Sequence, residues 1–351
     1  MTDKKPENKF ESEMKDNPYF QNMRSLKVPE LSFSKLIFLC VLALLFASLE
    51  PFALFASIPF TLSFLLYGKP KTFILGAVGT ALTVGLMQIQ VYQGSAVGTF
   101  PMALIYGYLI SQVIKKKVHP VKGILRNGFT MFVVVMGGVL LFNYLQPGGI
   151  EGILTPNIQE AATQYYKSLK DVPNAPSEQL RQLKDLKDDP SSVVSSILNY
   201  GTSAIFIGVF LSIWVGTFVM LKLGPLWRSV HSYPYNIRNL TSFKVPFSFV
   251  WPLIIGLVLA VGNAYEQLGD WAEVAGYNIL LMLGIFYFFQ GFGILSELLN
   301  KWRIFGFFRT MVIFFSVIMG YQVLALVGVL DTWVDFRRLF NKKNNDEGDK
   351  L

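Results

Sequence analysis

Apolar residues in this chain gather in long runs. They occupy Thr72 to Tyr92, Val97 to Ile114, Gly123 to Leu145, Val193 to Leu221, Pro246 to Tyr265, Val274 to Leu295 and Phe305 to Leu330. About 18 consecutive apolar residues suffice for a helix to cross bilayer hydrocarbon, so each run is predicted to be a membrane helix. Two shorter runs, Leu36 to Leu49 and Phe52 to Tyr67, precede them. Glu50-Pro51 divides the two, and this pair stops a helix and marks water, which predicts a tight hairpin of two short crossings. The expected fold is all-α: a polytopic transmembrane helical bundle of about 8–9 membrane segments. Residues 36–340 form the transmembrane domain, 1–35 a flexible cytoplasmic tail and 341–351 a polar C-terminal tail.

Between the third and fourth long runs lies a water-facing stretch, 146–192. Thr155-Pro156 fits a cap followed by proline at the first helical position. Ser177 before Glu178 starts a second helix, with Leu180, Leu183 and Leu186 spaced for one face. An extracytoplasmic helical hairpin is predicted, serving as a solvated connector or, on the sharper reading, as a ligand-covering lid.

Composition agrees with a membrane protein. Hydrophobic residues make up 52% of the chain and charged residues 15%, whereas soluble domains carry about 25% charged. The N-terminal region is too long and too mixed in charge for a signal-peptide start, so the first helix is expected to be a retained anchor. The single Cys40 excludes a disulfide framework within one chain.

The net charge of +8 would suit nucleic acid, but its placement says otherwise. Lys115, Lys116, Lys117, Lys122 and Arg126 fill one connection, Lys222, Arg228, Arg238 and Lys244 another, and Lys301, Arg303 and Arg309 a third. Intervening connections hold Glu50, no charge at all, the net-acidic stretch 146–192, or Glu266, Asp270 and Glu273. This alternation follows the positive-inside rule and predicts that the N-terminus and the basic connections lie in the cytoplasm. Basicity here reports topology, and no nucleic-acid partner is expected.

Chemistry-bearing motifs are sparse. His119 and His231 both fall in basic connections, and neither a zinc H-E-x-x-H nor a nucleotide-binding G-x-x-x-x-G-K-[ST] occurs. Glu50 lacks a second acid–base group nearby in the sequence. No enzymatic activity, catalytic residue, metal or cofactor is expected. The polar residues inside the apolar runs are amides, chiefly Gln88, Asn263, Asn278 and Gln290. A lipid-buried amide needs a partner, either a neighbouring helix or a ligand. Gln290-Gly291 allows close backbone approach and leaves room for a bound molecule, with Phe286 to Phe289 as an aromatic wall or as core. Ala43 and Ala47 put small side chains four apart on the first helix, suited to helix packing inside the chain or against another subunit.

The last apolar run ends in "LDTWVDFRRL". Continued as a helix, it would put Asp331, Asp335 and Arg338 on one face and Trp333, Phe336 and Phe340 on another. This is an interfacial anchor in which Asp335 pairs with Arg338 and Arg337 reaches phosphates, or else a docking motif. Nine crossings put this basic end outside, against the charge rule; a re-entrant final segment bent near Gly320 puts it inside.

Together with "FFQGFGILSELLNKW", "FKVPFSFVWPL" and "MALIYGYLISQVIKKK", that C-terminal motif resembles the YybS-like family of bacterial multi-pass membrane proteins of unknown function, from about Leu36 to Phe340. More distantly, the chain resembles the S-components of energy-coupling-factor transporters, whose small-residue face toward the coupling subunit Ala43-x-x-x-Ala47 is similar to. The resemblance implies a small-molecule-binding or transport-related subunit with an ATPase-bearing coupling complex as partner. A non-transport scaffold or cell-envelope organising protein, with envelope proteins as partners, is the alternative.

Overall fold

The computed structural model describes residues 32–88, 96–170, 172, 176–262 and 268–339. The described residues are helical, with no strand among them. Helices α1 (Phe33–Ser48) and α2 (Ser57–Tyr67) flank a 3-10 turn, Glu50–Phe55, so Glu50-Pro51 falls where the sequence predicts the break. There follow α3 (Lys69–Gln88), α4 (Ala96–Lys115), α5 (Pro120–Leu145), α6 (Glu151–Lys170), α7 (Ser177–Asp188) and α8 (Ser191–Lys222). The chain continues through the short α9 (Gly224–Trp227) and α10 (Ile237–Thr241) to α11 (Val250–Gly262), α12 (Asp270–Lys301), α13 (Gly306–Ile318) and α14 (Tyr321–Val334).

By length and composition, six helical stretches suit a membrane span: Glu50–Tyr67, α3, α4, α5, α8 and α12. The expected run Phe305 to Leu330 is not one straight helix. It breaks at Met319-Gly320 into α13 and α14, bent by 90°. At 1.5 Å per residue neither half reaches across about 30 Å of hydrocarbon alone, and the pair makes at most a seventh, broken span. α1 and Phe247–Gly262 are apolar but shorter.

The contacts divide the chain into two compact units, each visited twice: Met1–Asn127 with Leu211–Leu240, and Gly128–Phe210 with Thr241–Leu351. In the first, Ala43, Ala47, Phe60, Phe64, Phe100 and Ala103 join in one buried cluster. Ala43 and Ala47 are fully buried, and Thr99 Oγ1 donates to Ala47 O at 2.9 Å. The small pair therefore packs inside the chain. In α4, Gly107 lies where a Cβ would press on the Thr61 amide and the Ser57 carbonyl of α2.

In the second unit, α12 packs on both α11 and α14 through glycines. A Cβ on Gly276 would strike the backbone of Ala260 and Gly256 in α11; one on Gly291 would overlap the Leu324 carbonyl of α14, and one on Gly328 the Tyr287 carbonyl. Bare helix backbones touch here, the closest approach that lipid-embedded helices achieve. Phe286 is surrounded by the rings of Phe129, Phe206, Phe210, Phe243 and Phe249, at centroid distances of 5.1–6.4 Å. The Phe286–Phe289 stretch is thus core.

The hairpin α6–α7 is helical as expected, but α6 begins at Glu151 and carries Pro156 inside it, so Thr155 is not its cap. The turn before it is made by Gly148 and Gly149, both at positive φ, and Asn143 Oδ1 accepts the Ile150 amide at 2.8 Å.

Candidate functional site

A buried polar arrangement lies in the second unit where α12, the end of α14 and the segment after α10 meet. α12 is a long apolar helix, so an amide in its middle has no water to turn to and must bond to protein. Gln290 is fully buried. Its Oε1 accepts the Val245 amide at 2.8 Å, and its Nε2 donates to Asp331 Oδ2 at 2.7 Å. Asp331, in the last turn of α14, is also fully buried, and its other oxygen accepts the Phe336 amide at 2.7 Å.

That second bond depends on how α14 ends. Asp335 adopts left-handed backbone angles (φ 48°, ψ 62°), so the chain folds back and presents the Phe336 amide to the Asp331 side chain. Short polar Asp tolerates this conformation better than most residues with a Cβ. The turn sends Arg337 inward: Nη2 lies 3.0 Å from Thr241 O, 3.1 Å from Phe243 O and 3.3 Å from Gln290 O, with the side chain 14% exposed. Glu297, two turns along α12 from Gln290, stands 3.8 Å from Arg337 Nε. A Cβ on Gly293 would overlap the Thr241 carbonyl, so glycine there admits the strand of chain that Arg337 holds. Lys244 and Asp335 pair at 3.4 Å, but both are about half exposed, so the pair adds little stability.

The structure differs from the expected amphipathic helix. Helix α14 stops before Asp335, Asp331 faces the interior instead of the headgroups, and Asp335 meets Lys244, not Arg338. Arg337 binds carbonyls rather than reaching out. Trp333 and Arg338 are exposed; Phe340 lies outside the described residues. The room expected beside Gly291 is filled by Leu324. A charged segment follows the last apolar run because two of its members, Asp331 and Arg337, complete the bonding of groups that helix ends and the buried amide leave open.

Asn278 is placed similarly. Its Nδ2 donates to Asn199 O and Val274 O, each at 2.8 Å, and its Oδ1 accepts the Ser203 amide at 3.3 Å. Asn199 O and Ser203 N are one hydrogen-bond step of α8, so the amide grips that helix across one turn. Gln88 ends α3 exposed, and Asn263 lies outside the described residues.

Sequence reading missed Glu297, Lys244 and the carbonyls of Thr241 and Phe243. The available signal was Gln290, Gly293 and Glu297 recurring at i, i+3, i+7 on one face of α12. It also missed a clasp in the first unit. Trp227 is fully buried and donates to Met220 O at 2.9 Å, His231 Nε2 is 2.8 Å from Leu65 O, and Tyr233 Oη donates to Val118 O at 2.8 Å. Burial raises the Tyr233 hydroxyl pKa and keeps it a donor. The stretch from Trp227 to Tyr233 is therefore packed into the first unit.

Among known proteins, the family described as "Predicted membrane protein (DUF2232)" matches residues 35–332. No curated protein and no solved structure matches the chain.

Proposed function

The chain belongs to this family of predicted membrane proteins, and from that premise we propose that it acts as a non-enzymatic integral membrane scaffold that assembles with other envelope proteins. The supporting observation is that two of the amides that could have held a solute, Gln290 and Asn278, are engaged by the protein itself. Gln290 bonds Val245 and Asp331, Asn278 bonds α8 and its own helix, and the space at Gly291 holds Leu324. The transport-related reading, with an S-component's coupling partner, meets a further obstacle: Ala43 and Ala47, its small-residue face, are buried against the chain itself.

The reading includes a bacterial cytoplasmic membrane with the N-terminus in the cytoplasm, in keeping with the basic connections. It also includes a re-entrant final pair, α13–α14. Asp335 and Arg337 contact Lys244, Thr241 and Phe243, which lie in the connection leaving α8. Two stretches in contact share one side of the membrane, and Lys222, Arg228 and Arg238 make that the basic, cytoplasmic side.

Gentle detergent purification from native membranes, followed by mass spectrometry of copurifying proteins and metabolites, tests the function. Stoichiometric envelope proteins and no retained metabolite are expected. A copurifying ATPase with its membrane coupling subunit, or a stoichiometric small molecule, would overturn the scaffold in favour of transport.

A further inference from the structure

The first unit carries a cationic end that no acid among the described residues pairs with. Helices α2 and α4 run the same way, in close approach at Gly107, and Lys115 Nζ donates to Phe64 O at 2.6 Å. The turn after α2 and the turn after α4 therefore lie at one end. Lys69 and Lys71 follow the first turn, Lys116, Lys117 and Lys122 the second, and neither stretch holds an acid. Lys69 links the two, with Nζ 3.1 Å from Tyr108 Oη and 5.0 Å from its ring centre. These five lysines are exposed, and no ion pair joins them to any acid among the described residues. The unit's described acid, Glu50, sits before the start of α2, at the other end of that helix.

Directly along α3 from these cations is an apolar ridge. Phe73 packs edge-on against Phe64, at 4.9 Å between centroids, and lies 5.3 Å from Tyr108. Ile74, Val78 and Leu82 continue at four-residue spacing, each at least half exposed. Lysines at the head of an exposed aliphatic ridge match an amphiphile with an anionic head and an acyl chain. A soluble anion would use only the lysines.

We propose that this end of the first unit binds anionic phospholipid, the headgroup phosphate between Lys69 and Lys71 on one turn and Lys116 and Lys117 on the other, with an acyl chain along Ile74, Val78 and Leu82. The site rests on the membrane reading above and adds a lipid preference to it. Each lysine near an anionic surface contributes about 1 kcal/mol, roughly fivefold in retention.

The test is native mass spectrometry of the detergent-solubilised full chain with equimolar phosphatidylglycerol and phosphatidylcholine. Preferential retention of phosphatidylglycerol is expected. The variant Lys69→Gln/Lys71→Gln/Lys116→Gln/Lys117→Gln loses that preference, while Lys167→Gln/Lys170→Gln/Lys184→Gln/Lys187→Gln, with the same charge removed from the hairpin, keeps it. Equal retention of the two lipids by the unaltered chain, or equal loss in both variants, overturns the site. Inorganic phosphate in excess leaves retention unchanged; displacement by it would assign the lysines to a soluble anion and overturn the lipid. Alkaline extraction of native membranes separates the two levels: a chain that stays in the membrane without lipid preference refutes this site alone, and a chain released by the wash refutes the membrane reading.

Discussion

At the scale of single residues, the chain Val245, Gln290, Asp331, Phe336 obeys a simple parity. Backbone N–H donors stand at both ends, an amide with one acceptor and one donor follows the first, and only a side chain with two acceptors closes the series. Asp331→Asn keeps the shape but supplies a donor where an acceptor is needed, and turning either amide over only moves the donor–donor contact. It is expected to lower thermal stability in detergent by about 1–2 kcal/mol, within the range of buried hydrogen bonds in proteins and membranes. Gln290→Glu alone sets two carboxyl groups together and also destabilises. The swap Gln290→Glu/Asp331→Asn restores every donor to an acceptor, so its melting temperature should recover most of the loss. A double variant no more stable than the worse single one would sink this arrangement. The sequence showed Gln290 and Asp331 as polar residues in apolar surroundings. It did not show that each was the other's partner.

At the scale of elements, glycine decides which helices come into backbone contact. Gly291→Ala and Gly328→Ala each place a methyl on a carbonyl of the facing helix, and backbone cannot yield as a side-chain tip does. Both are expected to push α12 and α14 apart, with a lower melting temperature and a lower yield of folded protein. Gly137→Ala in α5 meets nothing within 4 Å and should be neutral or slightly stabilising, because alanine favours the helix by about 1 kcal/mol. Equal behaviour of all three, read by size-exclusion profile and thermal unfolding, would show that the packing at Gly291 and Gly328 is not what holds the pair. Small residues at membrane-helix spacing are common in the sequence. Which of them face a neighbour is set by rotation about each helix axis, and a nearly all-apolar helix has too little amphipathic pattern to reveal that rotation.

For the whole molecule, the sides of the membrane are the testable property. In a Cys40→Ser background, Ser229→Cys and Arg338→Cys should react with a membrane-impermeant maleimide from the same side, and Ser177→Cys in the hairpin from the opposite one. Labelling of position 338 together with 177 would make the last apolar pair a full crossing and overturn the re-entrant reading. The sequence posed this question, since a count of nine crossings and the charge rule disagreed over where the basic end lies. The 90° break at Met319-Gly320 fits a broken span or a re-entrant loop, and no proline or charge marks that break in the run.

The sequence alone determined that the chain is a helical membrane protein, where most helices lie, and that Glu50-Pro51 interrupts the first pair. These follow from local composition, because a bilayer admits almost nothing but long apolar helices. Only the tertiary structure decided that Asp331 is interior, that Arg337 turns back onto the carbonyls of Thr241 and Phe243, that Gly291 faces backbone instead of a ligand, and that Ala43 and Ala47 pack within the chain. Each of these joins positions far apart in sequence, Gln290 and Asp331 by 41 residues. Hydrophobicity restrains such pairs only weakly, since lipid and a neighbouring helix are nearly equivalent solvents for an apolar side chain.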